Sequence, residues 1–166
     1  MSKSIHTDRL ELRPFRDADA DAVTALIGNP EVARWLTRVP HPYTAEDARQ
    51  FFARDTEEAQ VYAITLSDMA IGGCSIEDEL GYWLGMPYWG QGYATEATHA
   101  LLVRHFEAGV PDLKSGYVLG NFGSKRVLEK LGFVDTRVEK VHSVPLKQSV
   151  QVQKMVLSAQ YWEARS

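Results

Sequence analysis

WGQGYATEA, residues 89–97, is the stretch on which the reading of this chain turns: a glycine-rich junction that runs straight into a helical pattern. The first turn of a helix leaves N–H groups without intrahelical acceptors and concentrates the positive end of the helix dipole, so such a junction holds a diphosphate without needing Lys or Arg. Gly90 and Gly92 let the backbone approach a ligand closely and accept positive φ at low cost. The same features also begin helices that bind nothing. Two other phosphate-binding patterns fit less well. The dinucleotide fingerprint G-x-G-x-x-G fails at Thr95, its last position, and GNFGSK at residues 120–125 lacks the G-x-x-x-x-G-K-[ST] spacing of a nucleotide-hydrolysing loop, with Lys125 after Ser124 instead of before it.

Upstream of the junction, residues 61–66, 70–76 and 80–84 are short apolar or aromatic runs separated by Ser67-Asp68 and Glu77-Asp78. They predict three strands in an antiparallel meander that ends at the loop. Nearer the N-terminus, residues 9–15 alternate Leu10, Leu12 and Phe15 against Arg9, Glu11 and Arg13, as a half-buried strand does. Asp17, Asp19 and Asp21 then supply first-turn charge for a helix with Val23, Leu26 and Ile27 on one face, closed by Gly28 and Pro30. A short helix with Val32, Trp35 and Leu36 follows. Thr44 caps a third, with Asp47 completing a capping box and Ala48, Phe51 and Phe52 forming its apolar stripe.

Downstream, a helix from about residue 95 to 107 stops at Gly109 and Pro111, a strand covers 116–119, and a helix covers 124–131 before Gly132. Strand, helix, strand and helix in succession predict a parallel crossover. Residues 133–140 and 150–157 complete the chain as two strands around Pro145 and Lys147. The sum is an α+β fold.

With 166 residues and 45% apolar content, the chain suits one hydrophobic core and one domain spanning 1–166. Lys and Arg total 18 against 22 for Asp and Glu; the net charge of −4 offers no basic field for nucleic acid. Cys74 alone forms no intramolecular disulfide or Cys-rich zinc site, and GGCSI reads as a buried strand thiol. None of His6, His41, His99, His105 and His142 pairs at a metal-ligand spacing, so no metal is expected. His41, in the proline-bounded loop before Thr44, is a candidate for lining an acceptor cleft. The N-terminus lacks the apolar core of a signal peptide and no later run reaches the length of a membrane span, which predicts a cytoplasmic chain without a membrane partner, as monomer or homodimer.

Several segments, in order, resemble the GNAT superfamily of N-acetyltransferases, and within it the RimJ/RimL-type branch. TDRLELRPF at 7–15 is similar to the opening strand of that branch, and NPEVARWL at 29–36 and PYTAEDARQFF at 42–52 to its early helices. ELGYWLGMPYWGQGYATEA at 79–97 resembles its central strand and coenzyme A loop, NFGSKRVLEKLGF at 121–133 its second diagnostic motif, and Tyr161-Trp162 the aromatic end that follows its last strand. The family loop pattern, Gln or Arg, two residues, Gly, one residue, Gly or Ala, falls on Trp89, Gly92 and Ala94. Trp89 departs from it, as is common in this branch. The resemblance implies the GNAT fold: a central mixed, mostly antiparallel sheet of about six to seven strands, about four helices, and a splayed pair of central parallel strands.

It also implies acetyl transfer from acetyl-CoA to a primary amine, by direct attack in a ternary complex. The acceptor is a protein or peptide N-terminus, or a small polyamine, amino acid or antibiotic, and a silent acyl-CoA-binding module is the rival. Trp89, Gly90, Gln91, Gly92, Tyr93, Ala94 and Thr95 are the expected diphosphate contacts, and Asn121 and Ser124 further coenzyme contacts; both are also good helix caps. An attacking amine must lose a proton, because an α-amine titrates near 8 and a lysine near 10.4. Glu79, at the start of the central strand, is the candidate base or amine ligand. A backbone N–H among Leu84, Gly85 and Met86 is the candidate oxyanion donor. The Tyr that many family members place seven residues after the motif Asn is Leu128 here, which leaves Ser124 near the sulfur. Trp35, Trp83, Tyr82, Tyr88 and Tyr93 frame either a pocket or the core, and residues 38–43 and 144–149 are loops where acceptor specificity would lie.

Overall fold

The computed structural model describes residues 4–55 and 59–165; residues 1–3, part of the amino-terminal segment considered above, lie outside that range. The predicted meander is present as β3 (Gln60–Leu66), β4 (Met69–Ile76) and β5 (Leu80–Leu84). Ser67 and Asp68 take φ of 49° and 63°, the two-residue hairpin turn whose twist suits the flanking strands. Two short strands, β1 (Ile5–His6) and β2 (Glu11–Arg13), extend this antiparallel sheet in the order β1-β2-β3-β4-β5. The strand expected over 9–15 is therefore shorter. Thr7 N–H donates to Leu10 O at 2.9 Å, which folds residues 7–10 into a turn and moves Arg9 out of the strand.

A second sheet holds β6 (Leu113–Val118), β7 (Val134–Ser143) and β8 (Gln148–Leu157) in the order β6-β8-β7. The described residues thus form eight strands in two sheets where about six to seven in one were expected. The division has a simple cause: among the described residues β5 and β6 run parallel but pair through one isolated bridge, Glu79 with Lys114, and then part. This is the splayed pair implied by the resemblance.

Helices α1 (Ala20–Ile27), α2 (Pro30–Ala33) and α3 (Ala45–Phe52) cover one face; α4 (Tyr93–Glu107), α5 (Phe122–Leu131) and α6 (Ala159–Arg165) cover the other. Asn29 Oδ1 accepts from Glu31 N–H to start α2 with Pro30 in its first turn, and Thr44 and Asp47 form the expected capping box of α3. The seven-residue α6 is too short to show in the sequence pattern, yet it seats Trp162 on Phe106 with centroids 5.3 Å apart. Leu12, Tyr62, Ile64 and Ile71 pack with Leu101, Leu102, Leu128 and Leu131 in the main core, each buried large side chain contributing about 1.5–3 kcal/mol. On the opposite face Val23, Ile27 and Ala48 form a second cluster against which Trp83 and Phe52 pack. The Arg13 guanidinium, buried between strand and helix, donates to both oxygens of Asp19 at 2.8 and 3.0 Å.

Candidate active site

After β5 the chain makes a single turn at residues 86–88, and Trp89 Nε1 donates to Leu84 O at 2.8 Å, tying the loop back to the strand it leaves. Gly90 and Gly92 take φ of 74° and 82°, and Gly92 is the left-handed residue from which α4 springs. A Cβ at Gly90 would meet nothing within 4 Å, so its glycine is needed for backbone angle and not for room. Glu96 N–H makes the first main-chain bond of the helix, to Gly92 O at 3.0 Å. The N–H groups of Gly90, Gln91, Gly92, Tyr93, Ala94 and Thr95 have no protein acceptor among the described residues. Six adjacent free donors at the positive end of a fifteen-residue helix make a cradle that attracts anions.

The cradle is held by residues that the sequence reading passed over. Arg9 donates from Nη1 to Gln91 O at 2.9 Å and from Nε to Glu96 Oε2 at 2.7 Å, and its guanidinium lies 4.4 Å from the centre of the Tyr93 ring. Thr7 Oγ1 and the Arg9 N–H also donate to Glu96, at 2.6 and 2.9 Å. Burial works to raise the Glu96 carboxyl, but these donors outweigh it and hold the group below its ordinary value. A carboxylate in the first turn beside an anion site would repel the ligand; here its charge is spent on Arg9.

Glu77 N–H donates to Glu79 O and Gly85 N–H to Ile71 O, and these two bonds set the alternation along β5. Residues 79, 81, 83 and 85 bond toward β4, while 80, 82 and 84 direct their main-chain groups at β6. Ser115 Oγ fills Leu80 O at 2.9 Å, and Trp89 fills Leu84 O. Tyr82 N–H, Tyr82 C=O and Leu84 N–H face the open wedge. Of the candidate oxyanion donors, Leu84 N–H points into the gap by this alternation, Gly85 N–H is taken by Ile71, and Met86 N–H has no main-chain acceptor among the described residues.

The faces of the wedge differ. Leu80, Tyr82 and Leu84 point toward α4 and α5, and Tyr82 OH lies 2.7 Å from Ser124 Oγ. Burial pushes the Tyr82 phenol up, so it remains protonated. Asn121 caps α5, its Oδ1 accepting from Ser124 N–H at 3.2 Å. Both residues therefore have structural work at the helix start, on the same side as the cradle. Leu128 is fully buried in the core, one turn deeper.

On the opposite face Glu79 lies with Gly81 and Trp83, while Gly116 and Val118 of β6 sit opposite Lys154 and Val152 of β8. Lys154 Nζ donates to both oxygens of Glu79 at 2.6 and 2.7 Å, and no motif foretold this pairing. Further along the face is a cleft of about 580 Å³, floored by Val118, Leu119, Gly120, Val150 and Gln151 and walled by Arg34, Trp35, Leu146 and Gln148. Val144 N–H donates to Thr37 O at 2.8 Å, joining the two walls. Of the loops expected to shape an acceptor cleft, 144–149 contributes Leu146 and Gln148; on the other side the lining comes from Arg34 and Trp35, just before residues 38–43. His41 is not among the lining residues. Tyr93 is buried in the core and Tyr88 packs against it, whereas Trp35 lines the cleft.

Residues 9–134 match the family model described as an acetyltransferase (GNAT) domain. Among curated proteins, the chain is 29% identical to the uncharacterized N-acetyltransferase p20 of Bacillus licheniformis, across 60% of this chain and 64% of that protein. It is also 29% identical to the uncharacterized N-acetyltransferase YoaA of Bacillus subtilis, across 78% of this chain and 81% of that one. Among solved structures it superimposes with a TM-score of 0.79 on RimL, a ribosomal L7/L12 alpha-N-protein acetyltransferase in complex with coenzyme A, at 19% identity over 94% of this chain and 98% of that one.

Proposed function

We propose, from the premise that this chain belongs to the GNAT acetyltransferase family, that it moves an acetyl group from acetyl-CoA to a primary amine, the α-amine of a protein or peptide being the favoured acceptor class. The observation that carries this reading is the run of free N–H groups from Gly90 to Thr95, opening beside a wedge between parallel strands. The RimL likeness supports an N-terminal amine as acceptor, and its complex supports coenzyme A as the ligand of the cradle.

In this reading Trp89, Gly90, Gln91, Gly92, Tyr93, Ala94 and Thr95 hold the diphosphate through main-chain groups, while Tyr82 N–H and C=O bind the amide-bearing arm that enters the wedge. Leu84 N–H donates to the thioester oxygen as negative charge develops there. The amine enters from the face of Glu79, whose carboxylate, oriented by Lys154, takes the ammonium proton directly or through water. Asn121 and Ser124 border the cradle side, and the Ser124 hydroxyl, backed by Tyr82, is the donor nearest a departing thiolate.

Calorimetry with coenzyme A and acceptor-dependent release of free thiol from acetyl-CoA test the proposal. Binding without thiol release for any amine would leave only a coenzyme-binding module. Glu79→Gln should lower the rate most at neutral pH and little at pH 9.5, where free α-amine is abundant; an unchanged pH profile would remove Glu79 from the role of base.

A further inference from the structure

The cleft on the Glu79 face contains one charged residue, and it is a cation. Trp35, Val118, Leu119, Leu146 and Val150 give it an apolar body, Gln148 and Gln151 add neutral polar groups, and Arg34 stands at its wall. No lining residue is acidic. Glu79, elsewhere on the same face, has both oxygens on Lys154. Arg34 keeps most of its donors: it reaches Glu31 only at 3.9 Å, and its guanidinium lies 4.5 Å from the Trp35 ring centre, a stacked position that leaves its edge open. A polyamine laid in this cleft would bring a second ammonium to a wall with no anion to receive it. An acceptor with a carboxylate near its amine would set that group on Arg34 and its body on Trp35 and Leu146.

From this charge arrangement, and resting on the transferase reading above, we infer that the acceptor is an amine flanked by a carboxylate, and that Arg34 selects it. Two sources share that chemistry: a free amino acid, and a peptide α-amine followed by an acidic side chain. The specificity then comes from the end of α2 and from the β7–β8 hairpin, with the coenzyme cradle playing no part in it.

Initial rates of thiol release should be measured for free glutamate, Ser-Glu-amide, Ser-Ala-amide, Ser-Lys-amide and spermidine, on the native protein and on Arg34→Gln and Arg34→Lys. For a half-exposed guanidinium, kcat/KM should favour the carboxylate-bearing acceptors about fivefold over Ser-Ala-amide. Arg34→Gln should erase that preference through KM, leave KM for acetyl-CoA unchanged and leave Ser-Ala-amide within about twofold. Arg34→Lys should restore part of the preference. Glutamate and Ser-Glu-amide distinguish the two sources. Equal loss on neutral and anionic acceptors would make Arg34 a packing residue of Trp35 and overturn the inference, as would spermidine or Ser-Lys-amide as best acceptor. Those outcomes leave the transferase reading intact. Absence of thiol release from every acceptor, with coenzyme A still bound, overturns both.

Discussion

Arg9→Met removes the residue that fastens the glycine-rich cradle, and its effect can be worked out bond by bond. The half-exposed ion pair with Glu96 is worth about 0.2–1 kcal/mol, the charged donor on Gln91 O about 1 kcal/mol, and the stacking over Tyr93 about 0.5 kcal/mol. These contacts share one guanidinium and do not add fully, so a stability loss of about 1–2 kcal/mol is expected in urea unfolding. Met keeps an aliphatic stem of similar length without the charge. The larger consequence is electrostatic: Glu96 loses its cation within a turn of the free N–H groups, and an unneutralised carboxylate there costs about 1 kcal/mol of anion binding. Calorimetry should show coenzyme A bound about five- to tenfold more weakly, with kcat at saturation within about twofold of native. The decisive measurement is Glu96→Gln in both backgrounds. In the native protein it removes a paired charge, whereas in Arg9→Met it removes an unpaired one and should recover roughly half the lost affinity, with the defect shrinking at 0.5 M salt. If the double variant binds no better than Arg9→Met alone, charge is not how Arg9 acts. A fall in kcat at unchanged KM would refute the whole argument.

Two further expectations follow from the same structure. Gly92→Ala places a Cβ at φ of 82° and 3.4 Å from Arg9 Nη2; it should cost about 1–2 kcal/mol of stability and weaken coenzyme A at least fivefold, and native affinity in calorimetry would show that the cradle does not need this angle. Burial acts to raise the Asp19 carboxyl, but the bonds from Arg13 and from Arg16 N–H outweigh it and hold the group below its ordinary value of 3.8. The folded state then binds fewer protons than the unfolded chain, so this contribution is complete above pH 3.8 and is lost as pH falls below it. Asp19→Asn, which leaves Arg13 buried without its partner charge, should destabilise by about 3 kcal/mol at pH 7 and by up to about 1 kcal/mol less at pH 3. A gap of the same size at both pH values would contradict the assignment.

Local rules made much of this protein legible. Ser67-Asp68 marks the hairpin because both residues tolerate positive φ, Thr44 and Asp47 announce α3 because together they satisfy its first donors, and Gly90 and Gly92 before an apolar helical run mark the cradle. Each signal sits within a few residues of what it specifies. The strand over 9–15 was overextended for the complementary reason: alternation continues through Arg9, and only the turn bond from Thr7 to Leu10 ends it.

The sequence by itself determined the α+β class, the meander leading into the cradle, the caps, and the main-chain donors that a diphosphate would use, since these depend on backbone angles set by neighbouring residues. Only the tertiary structure decided that Arg9 is bonded to Glu96 across 87 positions, that Glu79 spends both oxygens on Lys154, that Tyr82 meets Ser124, and that Arg34 and Leu146 face each other across one cleft. Those pairings arise from the register of strands and the splay of β5 from β6. No local propensity encodes a distance between segments that meet only when the core closes.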